Sequence, residues 1–489
     1  MSAPAPRAPW IERIAASQTV RSGYASLVWH VVALIVLALL VVPREIERKP
    51  RPIRILFAPP ADEPGHDGGD AAVDLFDVAL EPGLEAPIPE PAAVTVEPLI
   101  STPDEPAAPE LVAAHDPAVP PLPAATLTRP ASLSMTKAPA GAAFASRHGS
   151  ARGDASRERG GSAASEAAVE AGLAWLAAHQ GEDGSWRCDL TNCRCGGACR
   201  DAGTVGSTTA ATGLALLPFL GAGHTHLEGD HREVVNRGLY YLLSRLRSTP
   251  RGGDLTEGSM YCQGVATLAL AEALGMTRDD MLERPVAAAV RFIVSAQDAY
   301  GGGWRYLPGQ AGDTTSTAWQ LAALKSAALA GVEVPSPTID GVRRFLDRVQ
   351  ARAGESYGYQ GPLDEPSTSA IGLFCRLHTG WDQMDTVRRG LATLAQPGPD
   401  PQAIYMNFYL AQALLQSDHP AWPRWNRRNR DQLVAAQARA GHEQGSWFFA
   451  DPETASGGRL AHTALAVLSL EVYYRLLPVY RPDAVEREW

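Results

Sequence analysis

The stretch GEDGSW at residues 181–186 returns as DAYGGGW at residues 298–304 and as HEQGSW at residues 442–447. In each copy a Gln closes the helical run before it, and Gly followed by an aromatic residue makes a tight turn. The ring of Trp186, Trp304 or Trp447 then packs back on the helix end, a structural role rather than a ligand-binding one. Weaker echoes appear as SYGYQ and RGGD. Internal repeats of this length decide an architecture before any site does.

Working outward from these turns, the runs before them read AVEAGLAWLAAHQ, REVVNRGLYYLLSRL, VAAAVRFIVSAQ, IDGVRRFLDRVQ, DTVRRGLATLAQ and RRNRDQLVAAQ, with apolar residues at helical spacing. The runs after them read TTAATGLALLPFLGAG, YCQGVATLALAEALG, TSTAWQLAALKSAALAG, STSAIGLFCRLHTG, IYMNFYLAQALLQ and LAHTALAVLSLEVYYRLL. These are apolar nearly all round, as burial on both sides requires. Several open after Ser or Thr and close at Gly, as from Thr314 to Gly331. Six polar-faced helices outside six apolar ones predict an all-α fold, an α/α toroid of six helix pairs over residues 165–482.

Composition changes sharply before that region. Residues 1–22 form a short tail, and residues 23–42 read GYASLVWHVVALIVLALLVV without a charged side chain, the length of a transmembrane helix. A cleavable signal peptide needs a shorter apolar core and a small-residue cleavage site, whereas Pro43, Arg44 and Glu45 follow here. His30 inside the span reads as an interfacial residue. Residues 43–164 are rich in Pro, Ala, Glu and Asp, too poor in apolar surface to offset chain entropy, so a disordered linker is expected. VDLFDVAL within it is a candidate docking motif. Counting Lys and Arg alone keeps the C-terminal domain in the cytoplasm, but the layout of tail, span and long Pro-rich segment favours a periplasmic or extracytoplasmic toroid.

The linker also carries the charge. Residues 62–116 hold fourteen acidic residues and no Lys or Arg, while the whole chain has a net charge of −11. The remainder is therefore near neutral, with none of the basic balance that phosphate contacts require, which argues against nucleic acid as a partner.

The helix pairs and their Gly-Trp turns resemble the prenyltransferase and squalene-oxidase repeat family, which includes squalene–hopene cyclases and protein prenyltransferase β subunits. The resemblance implies a ring around an apolar cavity for isoprenoid chains, with Tyr261, Trp319, Tyr405, Phe408 and Tyr409 as cavity-lining candidates. Squalene-type cyclases protonate a double bond with an Asp-rich motif, whose counterpart here is Asp313-Thr314-Thr315-Ser316-Thr317-Ala318. Asp313 is thus the catalytic candidate, but it lacks the neighbouring carboxylates that tune such an acid, and its position suits an N-terminal cap. Protein prenyltransferases hold zinc with an Asp-x-Cys pair and a His. His462 resembles that His, but the preceding inner run has no Asp-x-Cys, so His462 reads as a helix-start residue. Cys262-Gln263-Gly264 does not match the thioester motif of complement-type rings.

Cys188, Cys193, Cys195 and Cys199 cluster in RCDLTNCRCGGACRD. Two local disulfides suit an exported domain and a small metal site a cytoplasmic one, so zinc at this cluster is the one cofactor the sequence admits. Cys262 and Cys375 fall in inner runs and read as inert core residues. The expected function is a membrane-tethered toroid that binds an apolar isoprenoid or lipid ligand, or a protein partner, without the family's catalytic motifs. The alternative is a terpenoid cyclase or transferase-type enzyme acting on an isoprenoid. A glycosidase needs two cavity-facing carboxylates, and the inner runs offer chiefly Glu272 and Glu471.

Overall fold

The computed structural model describes residues 144–193, 195 and 197–475. The tail at 1–22, the transmembrane span at 23–42, the linker as far as 143 and the last residues of the toroid range lie outside the described residues. Among the described residues no helix is long and apolar enough to cross a membrane.

The predicted helix pairs all form. The outer members are α2 (Ala163–Ala178), α4 (Arg232–Arg245), α6 (Asp280–Ser295), α8 (Ser336–Val349), α10 (Met384–Ala395) and α12 (Trp422–Ala436). Each is followed by an inner one: α3 (Thr208–Gly221), α5 (Met260–Thr277), α7 (Thr314–Leu329), α9 (Pro366–His378), α11 (Ile404–Gln416) and α13 (Gly458–Leu470). The inner helices pack side by side in chain order, and α13 returns to α3, closing the ring. Their composition explains the layering. Every residue of α3 after Thr208 is buried, so no face is left for solvent. Outer α8 buries Ile339, Val342, Phe345, Leu346 and Val349 along one stripe and turns its charges outward.

One small device repeats between the layers. In the three Trp turns the indole N–H donates to a carbonyl of the preceding outer helix: Trp186 to Leu176, Trp304 to Ile293 and Trp447 to Leu433, at 2.7–2.8 Å. The backbone N–H of the same Trp donates to a Thr of the following inner helix, Thr212, Thr317 or Thr463. The Gln side chain then reaches two ways. Gln180, Gln297 and Gln437 each donate to a Gly carbonyl of their own turn and to a carbonyl of the next outer helix, Val234, Thr338 and Ala168 respectively. The last of these crosses from α12 to α2, so the ring is closed by the contact that builds it elsewhere. Gly184, Gly302 and Gly445 have φ of +88°, +82° and +91°, and a Cβ there would strike a backbone carbonyl of the next outer helix. Only glycine satisfies both demands. The weaker echoes become two-stranded hairpins: β1 (Arg247–Thr249) with β2 (Gly252–Asp254), and β3 (Gln350–Ala351) with β4 (Ser356–Tyr357).

One boundary differs from the sequence reading. The stretch expected to stay disordered up to residue 164 holds a 3-10 turn (Ala145–Arg147) and α1 (Gly149–Arg159). Arg147 is 2% exposed and donates to Glu272 Oε2 at 2.7 Å and to the Arg475 carbonyl at 2.9 Å, beside α14 (Val472–Arg475). Arg475 donates to Glu272 Oε1 at 2.7 Å, completing a buried Arg–Glu–Arg triad. Composition misses this because the contacts that hold the segment are long-range: the Arg147 and Arg475 ion pairs with Glu272, the buried Phe144 ring, and hydrogen bonds of Ser146 and Arg159 to the α14 backbone.

Candidate functional site

The inner helices begin at one end of the ring. The starts are stitched in sequence order: Met260 N–H donates to the Tyr306 carbonyl at 2.7 Å, Thr314 N–H to Tyr359 at 2.9 Å, and Thr204 N–H to Ser456 at 2.8 Å. This mouth gathers the positive ends of the helix dipoles, and carboxylates answer them. Glu257 accepts from Thr209 N–H at 2.9 Å and from the hydroxyls of Ser207 and Thr208 at 2.8 Å. Burial pushes its carboxyl up, but the bonds from Thr209, Ser207 and Thr208 outweigh that and leave it below the usual range. Asp451 accepts from Tyr405 N–H at 3.1 Å at the start of α11.

Asp313, the catalytic candidate, is fully buried and caps α7: its Oδ1 accepts from Ser316 N–H at 2.7 Å and the Thr315 hydroxyl at 2.8 Å. Its Oδ2 accepts from the Ser316 hydroxyl at 3.0 Å. Burial lifts its pKa above the usual carboxylate value despite those bonds. These bonds cap the start of α7, and Arg305 approaches Oδ2 at 3.9 Å.

Glu453 differs from its neighbours and carried no signal in the sequence beyond its place in the loop leading into α13. Burial, with Asp451 and Glu365 close by, raises its pKa to about 7 against the pull of Ser367, and its Oε2 has no hydrogen-bond partner.

The cavity candidates do meet, and they fill the space they were expected to line. Tyr261 and Tyr405 share a 2.6 Å hydroxyl hydrogen bond, and the Trp319 indole N–H reaches both hydroxyls. Trp319 stacks on Phe408 with centroids 6.2 Å apart, and Tyr409 lies edge-on to both Phe408 and Tyr405. The space left at the centre, between Tyr261, Trp319, Tyr405, Leu214 and Thr454, is about 10 Å³, room for one water. The inner-helix acids named for glycosidase chemistry sit at the opposite end. Glu272 is bridged by Arg147 and Arg475, and Glu471 is buried with burial holding its carboxyl well above the usual range.

His462 is buried at the start of α13, accepting from Phe449 N–H at 3.2 Å and bonded to the Thr454 hydroxyl at 2.8 Å. Burial lowers its pKa to about 4, which keeps it neutral. Cys262 and Cys375 are buried core residues, their thiols pushed up by burial.

The four clustered cysteines are all free, and Cys188 lies apart from the other three. Cys188 lies in the core, 1% exposed, with burial raising its thiol to about 12. Cys193 and Cys195 approach to 2.7 Å between sulfurs. Cys199, beside Cys195, also approaches His179, its Sγ 3.0 Å from Nε2. Sequence reasoning did not connect His179 or His442 with this cluster, because His442 is 243 residues beyond Cys199.

No protein-family model matches the chain, and no curated protein is similar to it. Among solved structures, an inactive variant of the α-1,6-mannanase GH76A of Salegentibacter sp. HEL1_6, in complex with α-1,6-mannotriose, aligns over 64% of this chain and 99% of its own. The TM-score is 0.44 and the identity 9%, a likeness too slight to carry an argument about activity. The architecture is a helical toroid, and the finer assignment is corrected. Nothing found supports the prenyltransferase, squalene-oxidase or terpenoid-cyclase reading. An isoprenoid or lipid has no room in a ring whose aromatic residues already occupy it.

Proposed function

We propose that the toroid is a non-catalytic scaffold that engages a protein partner through its mouth. The observation that carries this reading is the packed centre: among the described residues the space between Tyr261, Trp319, Tyr405 and Thr454 is about 10 Å³, whereas ligand pockets typically run to several hundred Å³. What the ring offers a partner is a rigid rim. Leu307, Leu363 and Phe448, in the loops leading into α7, α9 and α13, are 58%, 54% and 44% exposed. Large apolar side chains held out on loops over a rigid support are the anchors that protein interfaces use.

The test is site-specific photo-crosslinking in cells that express the full chain, with the crosslinking residue in place of Leu307, Leu363 or Phe448, and in place of exposed Arg344 on outer α8 as a control. One protein trapped at the three rim positions and absent at Arg344 supports the proposal. Equal trapping everywhere, or none, rejects it. Turnover of any small substrate that disappears in Asp313→Asn or Glu453→Gln also rejects it.

A further inference from the structure

We propose that His179, Cys195, Cys199 and His442 bind one zinc ion, which clasps the first helix pair of the ring to the last. The coordinating atoms of these four side chains lie within 4.8 Å of one another. Tetrahedral zinc with thiolate and imidazole ligands needs them about 3.3–3.8 Å apart, so closure asks for roughly an ångström of movement. Two thiolates and two imidazoles are the donor set that selects zinc over oxygen-seeking cations such as calcium or magnesium.

The surroundings are built for such a site. His179 Nδ1 is 2.7 Å from the Trp175 carbonyl, so it carries the proton and donates there, leaving the Nε2 lone pair directed at the cluster. Trp175 fixes that ring by stacking on it, with centroids 3.9 Å apart and planes 22° apart. The Trp175 indole N–H donates to the His442 carbonyl at 3.0 Å, which holds the last turn against the first. His179 and Cys199 are buried, Cys195 is half-buried and His442 is exposed, giving an edge through which an ion enters.

The placement also answers a problem in the fold. Between the end of α2 at Ala178 and the start of α3 at Thr208 the described residues form no helix or strand. A connection of this length in a compact domain needs an anchor of its own. The same turn meets the segment between α12 and α13 and the start of α13 at the seam, through Arg200 with Glu443, Gly203 near Ser456 and Asp201 with Arg459 of α13. A metal joining His179 to His442 adds a crosslink there. Binding releases the two thiol protons to water and involves no electron transfer.

The experiment uses the full chain in detergent, reduced, freed of metal and reconstituted with zinc chloride. Bound zinc is measured by elemental analysis and native mass, and thiols by alkylation. The expected result is one zinc per chain and two thiols protected by it. Cys199→Ser and His442→Ala should each weaken zinc binding more than about tenfold, since even outer-shell changes cost that much. Cys188→Ser should leave it unchanged. Because Cys199→Ser replaces a buried residue, the exposed His442→Ala is the variant that separates metal loss from misfolding, and chelator should lower Tm in the wild type but not in it. Substoichiometric zinc with all six thiols alkylated overturns the proposal. So does a mass lowered by disulfide formation, or zinc retained in His442→Ala but lost in Cys193→Ser.

Discussion

Replacing Glu272 by Gln removes the carboxylate that bridges two buried guanidiniums while keeping the volume of the side chain. Arg147 and Arg475 each hold one Glu272 oxygen at 2.7 Å, and all three side chains are 5% exposed or less. Burial alone raises the Glu272 carboxyl, but Arg147 and Arg475 prevail and hold it below the usual range. Breaking a buried ion group by removing one member costs about 3–5 kcal/mol, because the partners remain desolvated without compensation. With an unfolding entropy of about 2 cal/mol/K per residue, that is a fall of roughly 4–7 °C in Tm for a domain of this size. Glu471 supplies the internal control. It lies beside the same arginines, but burial raises its carboxyl well above the usual range against the pull of Arg152, Arg475 and Arg147. It makes no hydrogen bond to Arg147 or Arg475, so Glu471→Gln should cost less than Glu272→Gln. The assay is tryptophan fluorescence during thermal unfolding of the full chain at low and high salt, where a buried group shows little screening. A fall of under a degree in Glu272→Gln, or an equal fall in Glu471→Gln, would refute the assignment of the triad as the anchor of the segment before α2.

Three further outcomes are expected. Gly302→Ala forces a side chain onto φ of +82° and into the Gly341 carbonyl, a loss of about 2–4 kcal/mol to be read by urea unfolding; a loss under about 0.5 kcal/mol would contradict the repeat-turn geometry. Asp313→Ala removes the cap of α7, with a loss of about 0.5–2 kcal/mol by the same assay and no change in any activity. Glu453 has a folded pKa of about 7 against 4.5 for the free group, so the folded state binds more protons between those values. Stability therefore declines as pH rises through that window, by up to about 3 kcal/mol, and levels off above it. Glu453→Gln should flatten this decline and melt higher than the wild type at about pH 8; an unchanged pH profile would show that the group titrates normally.

The ring was readable because its parts are periodic. GEDGSW, DAYGGGW and HEQGSW each encode a Gln clamp, a left-handed Gly and a tethered Trp, and the inner runs lack a polar face. The same reading failed where a contact joins distant residues. Arg147 sits in an Ala-, Ser- and Gly-rich stretch that composition assigns to a linker, and its partners lie 125 and 328 residues away. The pairing of His179 with Cys199 crosses a turn without periodicity, and His442 joins them only after the ring has closed. The aromatic residues Tyr261, Trp319, Tyr405, Phe408 and Tyr409 are buried, but no pattern of spacing reveals whether rings line a hole or fill it; that depends on the Tyr261–Tyr405–Trp319 hydrogen bonds. Glu453 was invisible because a single loop carboxyl acquires its character from burial.

The Gln437 bond to the Ala168 carbonyl has a consequence for how the chain is threaded. Because α12 grips α2 as α6 grips α8, the place where the described chain begins and ends is not distinguished by its packing. Those ends are also adjacent, with the Ser146 hydroxyl 2.7 Å from the Tyr474 carbonyl. A circular permutant that links residue 475 to residue 144 and opens the loop after Gly331 keeps every one of these clamps. It should assemble the same ring from a different starting helix, with the order of synthesis, rather than the final architecture, being what changes.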